Sequence, residues 1–198
     1  PGSSPLTAEE FQKRSNVSRE TMAGLQIYAN LLTERQKTQN LVSKRSLVDL
    51  WERHVLDSLQ LSDHLPDTAR GILDMGSGAG FPGLVLAIAT DLPVTLVESH
   101  GRKCAFLQDV IDATGAPARV VNARIEALAA ESFEDSVDIL TARALAPLEK
   151  LCEMAVLLGV RTCLFHKGAR WQDELTEARK RWKMDAEALE SRTSPDAR

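Results

Sequence analysis

The sequence predicts an α/β protein with a doubly wound, mostly parallel sheet and an N-terminal helical cap. Three observations carry that prediction. From residue 71 onward, short apolar runs alternate strictly with helix-like stretches, the pattern of parallel strands joined by right-handed crossovers. One apolar run, Ile72-Leu73-Asp74-Met75, leads into Gly76-Ser77-Gly78-Ala79-Gly80 and then Phe81-Pro82-Gly83, the strand, glycine turn and helix of a nucleotide-cradling unit. Residues 1–66, by contrast, show helical periodicity and no strand signal.

Pro1-Gly2-Ser3-Ser4-Pro5 lacks an initiator Met and reads as a tag remnant or flexible tail. Thr7-Ala8-Glu9-Glu10 has the form of a capping box and starts a short helix. After a polar break at Ser15–Ser18, Met22, Leu25, Tyr28, Leu31 and Leu32 recur at three- and four-residue spacing, one apolar stripe of a longer helix. It ends in the polar stretch 34–40, and Asn40–Arg45 forms a basic connector. A further helix is expected from about Ser46 to Asp63, stopped before Pro66. On that helix Arg53 and Asp57 stand at i,i+4 and His54 and Asp57 at i,i+3, so they can meet on one face. That face is either a solvated ion pair or a polar surface turned towards a cleft.

Strands are expected at 71–75, 94–97, 118–122, 137–141 and 162–166, with helices at 82–90, 101–114, 124–131, 147–158 and 171–183. Residues 191–198 are polar and read as a frayed end. The expected division is a cap over residues 1–66 and a Rossmann-like region over 67–198.

Ligands of such sheets lie at the carboxyl ends of the strands. The rule selects Asp74–Gly80, Glu98, Asn122–Glu126, Thr141–Arg143 and His166–Gly168. The dinucleotide pattern G-x-G-x-x-G would need glycine at position 81, where Phe81 stands. What is present is D-x-G-x-G-x-G, the form typical of S-adenosylmethionine (SAM) methyltransferases. The glycines permit positive φ and let backbone approach a ligand closely. Pro82 suits a first helical position, and the N–H groups of that helix start attract anions. Glu98, ending the apolar run Val94–Val97, can accept both hydroxyls of an adenosine ribose. Glycine turns also occur in structural loops, and acids often follow strands, so a purely structural turn is one alternative, and NAD is the competing nucleotide.

The bulk numbers exclude several classes. With 43% hydrophobic and 26% charged residues, the chain can bury a real core. A net charge of −4 means that any nucleic-acid contact needs a local basic patch. Its candidates are Lys44, Arg45, Arg53, Arg102, Lys103, Lys167 and Arg170, with His54 beside Arg53. Cys104, Cys152 and Cys163 are odd in number and lack Cys-x-x-Cys spacing, as reduced, buried thiols of a cytosolic protein would be. No apolar window is long enough for a membrane span. His54, His64, His100 and His166 lack metal-ligand spacing, so no metal is expected, and no Ser/His/Asp triad or nucleophilic Cys stands out.

Several pieces together resemble one family: Asn40-Leu41-Val42-Ser43, Arg53-His54-Val55-Leu56-Asp57-Ser58-Leu59, the stretch Asp74–Gly83, Asn122-Ala123-Arg124-Ile125-Glu126 and Thr141-Ala142-Arg143-Ala144. This resembles the bacterial small-subunit ribosomal RNA guanine-N7 methyltransferases, the glucose-inhibited division protein B family, over about residues 25–170. The resemblance implies a class I methyltransferase fold, SAM as donor and N7 of one guanine in 16S rRNA as acceptor. The substrate would be 16S rRNA or the small-subunit particle, and the enzyme a cytoplasmic monomer. Cofactor contacts carried over by position are Gly76, Phe81, Ile125 with Glu126, and Arg143; Gly78, Gly80, Glu98 and Arg124 complete the expected cofactor set.

Two departures stand out. The family usually has aspartate where Glu98 stands, and it ends in a further antiparallel strand with no obvious counterpart before Arg198. Arg143 either pairs with a nearby acid or holds an anion of cofactor or RNA. Phe81 either staples its helix or walls the methionine moiety, and His166 is a positioning or core residue. Guanine N7 carries a free lone pair, so positioning rather than a general base is the expected means of catalysis. A SAM enzyme acting on a protein or small molecule, and a non-catalytic nucleotide-binding assembly module, are the alternatives.

Overall fold

The computed structural model describes residues 4–130, 133 and 136–198. Five parallel strands, β1 (Ile72–Met75), β2 (Val94–Glu98), β3 (Ala118–Asn122), β4 (Ile139–Arg143) and β5 (Thr162–His166), form one sheet in the order β3-β2-β1-β4-β5. The chain reverses direction across the sheet between β1 and β4, which pair from Ile72 with Ile139 to Met75 with Ala142. Such a switch point opens a crevice at the carboxyl ends of those two strands. All residues of β1 and β2 are buried, as expected of central parallel strands covered on both faces.

Helices α5 (Gly83–Thr90), α6 (Gly101–Thr114), α7 (Leu148–Leu157) and α8 (Trp171–Arg181) follow the strands. Two apolar clusters result. One joins Leu84, Leu86, Phe106 and Leu107 to Leu25, Tyr28 and Leu32 of the N-terminal helices. The other joins Leu73, Val97 and Leu140 to Leu128, Leu151 and Met154.

The cap begins with α1 (Ala8–Ser15), whose capping box is present: Thr7 Oγ1 accepts from Glu10 N at 3.2 Å and Glu10 accepts from Thr7 N at 2.9 Å. The apolar stripe of α2 (Arg19–Arg35) packs against α5 and α6. The single helix expected over Ser46–Asp63 is instead a composite. It runs through α3 (Lys44–Val48), a π-helical stretch Leu50–Leu56, the short α4 (Asp57–Leu59) and a 3-10 turn Gln60–His64. The wider π turn resets the side-chain phase. Arg53 therefore pairs with Asp49 at 3.3 Å and not with Asp57, while His54 turns inward and is buried.

Three smaller corrections apply. β4 starts two residues later than expected, because Asp138 serves as a turn anchor, accepting from the backbone N–H groups of Arg70 and Gly71. The helix expected at 124–131 is a 3-10 turn, Ile125–Ala130. Residues 191–198 are irregular but not frayed. Arg192 N donates to Gln60 Oε1 at 2.9 Å, Thr193 Oγ1 to Asp57 Oδ1 at 2.7 Å, and Arg198 exchanges two backbone hydrogen bonds with Lys167. Buried polar groups on the composite helix thus find partners in the C-terminal segment. Among the described residues no sixth strand is present, and no helix is long and apolar enough to cross a membrane.

Candidate functional site

The glycine turn after β1 has positive φ at Gly76 (64°), Gly78 (58°) and Gly80 (103°), conformations that side chains with a Cβ rarely adopt. At Gly76 there is also no room: a Cβ would stand 2.6 Å from Leu145 Cδ1, so the glycine loop and the loop after β4 touch. Beneath the turn lies Asp74, wholly buried, accepting from Thr141 Oγ1 at 2.8 Å and from Gly83 N at 3.3 Å. Burial is the largest influence on this carboxyl and outweighs the hydrogen bonds, raising its pKa to about 6.

Glu98 closes the other side of the turn. Its carboxylate is 5% exposed and accepts from Gly78 N at 2.9 Å and from His100 N at 2.8 Å, with His100 Nδ1 at 2.9 Å. Burial pushes this group upward, yet the bonds from His100 and Gly78 together prevail and hold it below the usual carboxylate range. The result is an ionised acid fixed at the end of β2, beside the glycine turn.

Phe81 is buried in a stack that crosses from cap to sheet. Tyr28 lies on one side, ring centroids 5.1 Å apart, and His54 at 4.7 Å. The Arg143 guanidinium sits 5.1 Å from the Phe81 ring centre. The Tyr28 hydroxyl donates to Ala79 O, tying α2 to the glycine loop.

Arg143, at the end of β4, donates through Nη1 to Arg53 O at 2.9 Å and through Nη2 to His54 Nδ1 at 2.7 Å, with Asp57 Oδ2 at 3.7 Å. His54 must therefore offer a lone pair at Nδ1 and be neutral. Burial first, then the charges of Arg143 and Arg53, lower its pKa to about 3. His166 Nε2 meets Asp57 O at 2.7 Å, and burial lowers the pKa of this imidazole also. Asp57 is thus the point where Arg143, His166 and Thr193 converge.

Next to Arg143 opens a cavity of about 480 Å³. Its walls are the loop after β4, the loop after β5, Glu174 of α8 and parts of the C-terminal segment. Leu145, which abuts Gly76, also lines it, so cavity and glycine turn share a wall. Ala144 in that wall has φ 52°, a strained value for a residue with a Cβ. Lys167 donates to Ala146 O at 3.0 Å and pairs with Glu174 at 2.5 Å.

Of the residues singled out by sequence, Gly76, Gly78, Gly80, Phe81 and Glu98 surround the glycine turn, and His54 and Arg143 adjoin Phe81. Lys167 lines the neighbouring cavity with Arg143. Past β3, Ile125 is buried in the second cluster while Arg124 and Glu126 are exposed. Lys44, Arg45, Arg53, Arg102 and Arg170 are exposed and Lys103 half-buried; none of the six lines the cavity. Sequence reasoning does not single out Tyr28 or Glu174 as site residues. Tyr28 looks like one more stripe residue, and Glu174 one more acid of a charged helix; only tertiary contact distinguishes them.

A family model described as rRNA small subunit methyltransferase G matches residues 21–196. The chain belongs to this family. Methylobacterium sp. (strain 4-46) has a ribosomal RNA small subunit methyltransferase G that is 49% identical over 200 residues, covering 98% of this chain and 93% of the relative. That of Parvibaculum lavamentivorans is 47% identical over 201 residues, covering 98% and 88%. Among solved structures, a mutant of MtNAS in complex with S-adenosylmethionine aligns over 97% of this chain and 81% of that one, with TM-score 0.57 at 16% identity, a likeness of fold alone. As a member of the rRNA small subunit methyltransferase G family, the chain is a methyltransferase, and the resemblance carried by its motifs is borne out.

Proposed function

We propose that this chain uses SAM to methylate N7 of one guanine in 16S rRNA of the small ribosomal subunit. The observation that carries the reading is the shared wall between two compartments. The glycine turn with its fixed carboxylate lies on one side of Leu145, and a polar cavity holding Arg143 and Lys167 on the other. The first fits a nucleoside: Glu98 is ionised and already accepts hydrogen bonds, as a ribose diol would supply them. Bound there, SAM supplies an electrophilic methyl group.

Gly76, Gly78, Gly80, Phe81 and Glu98 would hold the cofactor, joined by Arg124, Ile125 and Glu126 past β3. Arg143 has its side-chain nitrogens on His54, Arg53 and Asp57, so its role is to fix the wall between the compartments and present positive charge to the RNA. Lys44, Arg45 and Arg53 are the proposed phosphate contacts outside the cavity, sorted as positioning rather than reading groups. The acceptor nitrogen needs no deprotonation, so the side chains have only to align it and exclude water. The helical cap over residues 1–66, action as a monomer, and a cytoplasmic site of action complete the proposal.

Incubation with tritiated SAM and small-subunit particles or rRNA, followed by mapping of the labelled base, tests it. Label on one guanine, lost when that base is 7-deazaguanine, is the expected result. Label on protein alone would overturn the RNA assignment, and label on 7-deazaguanine the N7 assignment.

A further inference from the structure

The cavity beside Arg143 contains a cation and an anion placed side by side. Lys167 Nζ and Glu174 Oε2 stand 2.5 Å apart, their side chains only 13% and 19% exposed. An ammonium has three donors; Lys167 donates one to Ala146 O and forms an ion pair with Glu174. On Glu174, Oε2 accepts from Leu148 N at 2.8 Å and also makes the ion-pair contact with Lys167. Its Oε1 has no hydrogen-bond partner among the described residues. One donor and one acceptor therefore remain uncommitted next to each other in a cavity walled by a strained loop.

Resting on the reading above, we infer that this pair selects guanine, with Glu174 as the specificity-determining residue. A base taken out of the stack is read along its Watson–Crick edge. Guanine presents an acceptor and two donors there, O6, N1–H and N2–H₂. O6 matches a donor of Lys167 not given to Ala146 O, and N1–H with N2–H₂ matches the free oxygen of Glu174. Adenine reverses the order, setting an amino group against the ammonium and a lone pair against the carboxylate. That edge would hold the base in the cavity that Leu145 also lines, the residue that abuts Gly76 of the glycine turn.

The test compares methyl transfer to particles carrying guanosine or inosine at the target position. Inosine keeps O6, N1–H and N7 and lacks only the N2 amine. Wild-type protein should lose about 10- to 100-fold in kcat/KM with inosine, the range for one hydrogen bond to a charged group. Glu174→Ala should lower activity on guanosine and bring the guanosine-to-inosine ratio close to one, with SAM affinity by calorimetry unchanged. If Glu174→Ala does not fold, Glu174→Gln, which keeps one acceptor, should give an intermediate ratio. Equal loss on both substrates would make Glu174 a purely structural tie between two loops, and wild-type indifference to inosine would overturn the inference without any variant. Wild-type protein that labels no guanine in the particle would instead overturn the proposed function itself.

Discussion

His54 and Asp74 are two buried titratable groups whose environments push stability in opposite directions. His54 falls from 6.5 to about 3, so between those values the unfolded chain binds its proton and the folded chain does not. Stability therefore drops as pH falls through that window, by up to about 1.4 kcal/mol per pH unit. Asp74 rises from 3.8 to about 6, so in that narrower window the folded chain holds the proton and stability drops as pH rises. The two offset each other between about pH 4 and 6. Melting temperature followed against pH should show His54→Gln losing the acid-side decline; a variant that keeps the wild-type acid limb would clear His54 of that role. Arg143 belongs to the same network. Arg143→Ala leaves His54 Nδ1 and Arg53 O without their donor, and the apo protein should lose about 2–4 kcal/mol in denaturant unfolding, as buried networks do when one partner is removed. An unchanged unfolding midpoint would show Arg143 to be free for ligand alone.

Much of this was legible in the sequence at the level of elements. The alternation of apolar runs and helical stretches gave the five strands, and the strand-end rule pointed to Glu98 and Arg143 before any contact was known. Illegible was the phase break at Leu50–Leu56, since a π turn leaves composition untouched while rotating Arg53 away from Asp57. The packing of residues 191–198 was hidden for the reverse reason: a polar segment reads as solvated until its partners, half-buried Asp57 and buried Gln60, prove to lie on another element. The β1–α5 and β2–α6 junctions each yield a prediction. At Gly83 a Cβ would stand 2.4 Å from Leu96 Cδ2 and 2.7 Å from Asp74 Oδ2, so Gly83→Ala should cost about 1–3 kcal/mol of stability through overpacking. A circular-dichroism melt equal to wild type would show that α5 can shift freely. At the other junction, Glu98→Ala should weaken SAM binding by about 1–3 kcal/mol with the fold intact. Calorimetry showing undiminished affinity would remove Glu98 from the cofactor site.

At the scale of the whole molecule, a net charge of −4 makes RNA association depend on where the cations sit. If Lys44, Arg45 and Arg53 touch phosphates, their triple alanine variant should show a flatter dependence of affinity on salt, by about 0.7–0.9 in logarithmic slope for each phosphate no longer neutralised. An identical slope would place the patch elsewhere. Cap and sheet also share one apolar cluster, and the seam between them runs through the chain's single tyrosine. Tyr28 stacks on Phe81 and donates to the backbone of the glycine loop. The protein therefore carries its own spectroscopic reporter. Biosynthetic 3-fluorotyrosine would give one fluorine resonance for the entire chain, seated where the glycine loop and the cap meet, and with SAM bound as proposed its titration could be followed at that nucleus without any engineered label.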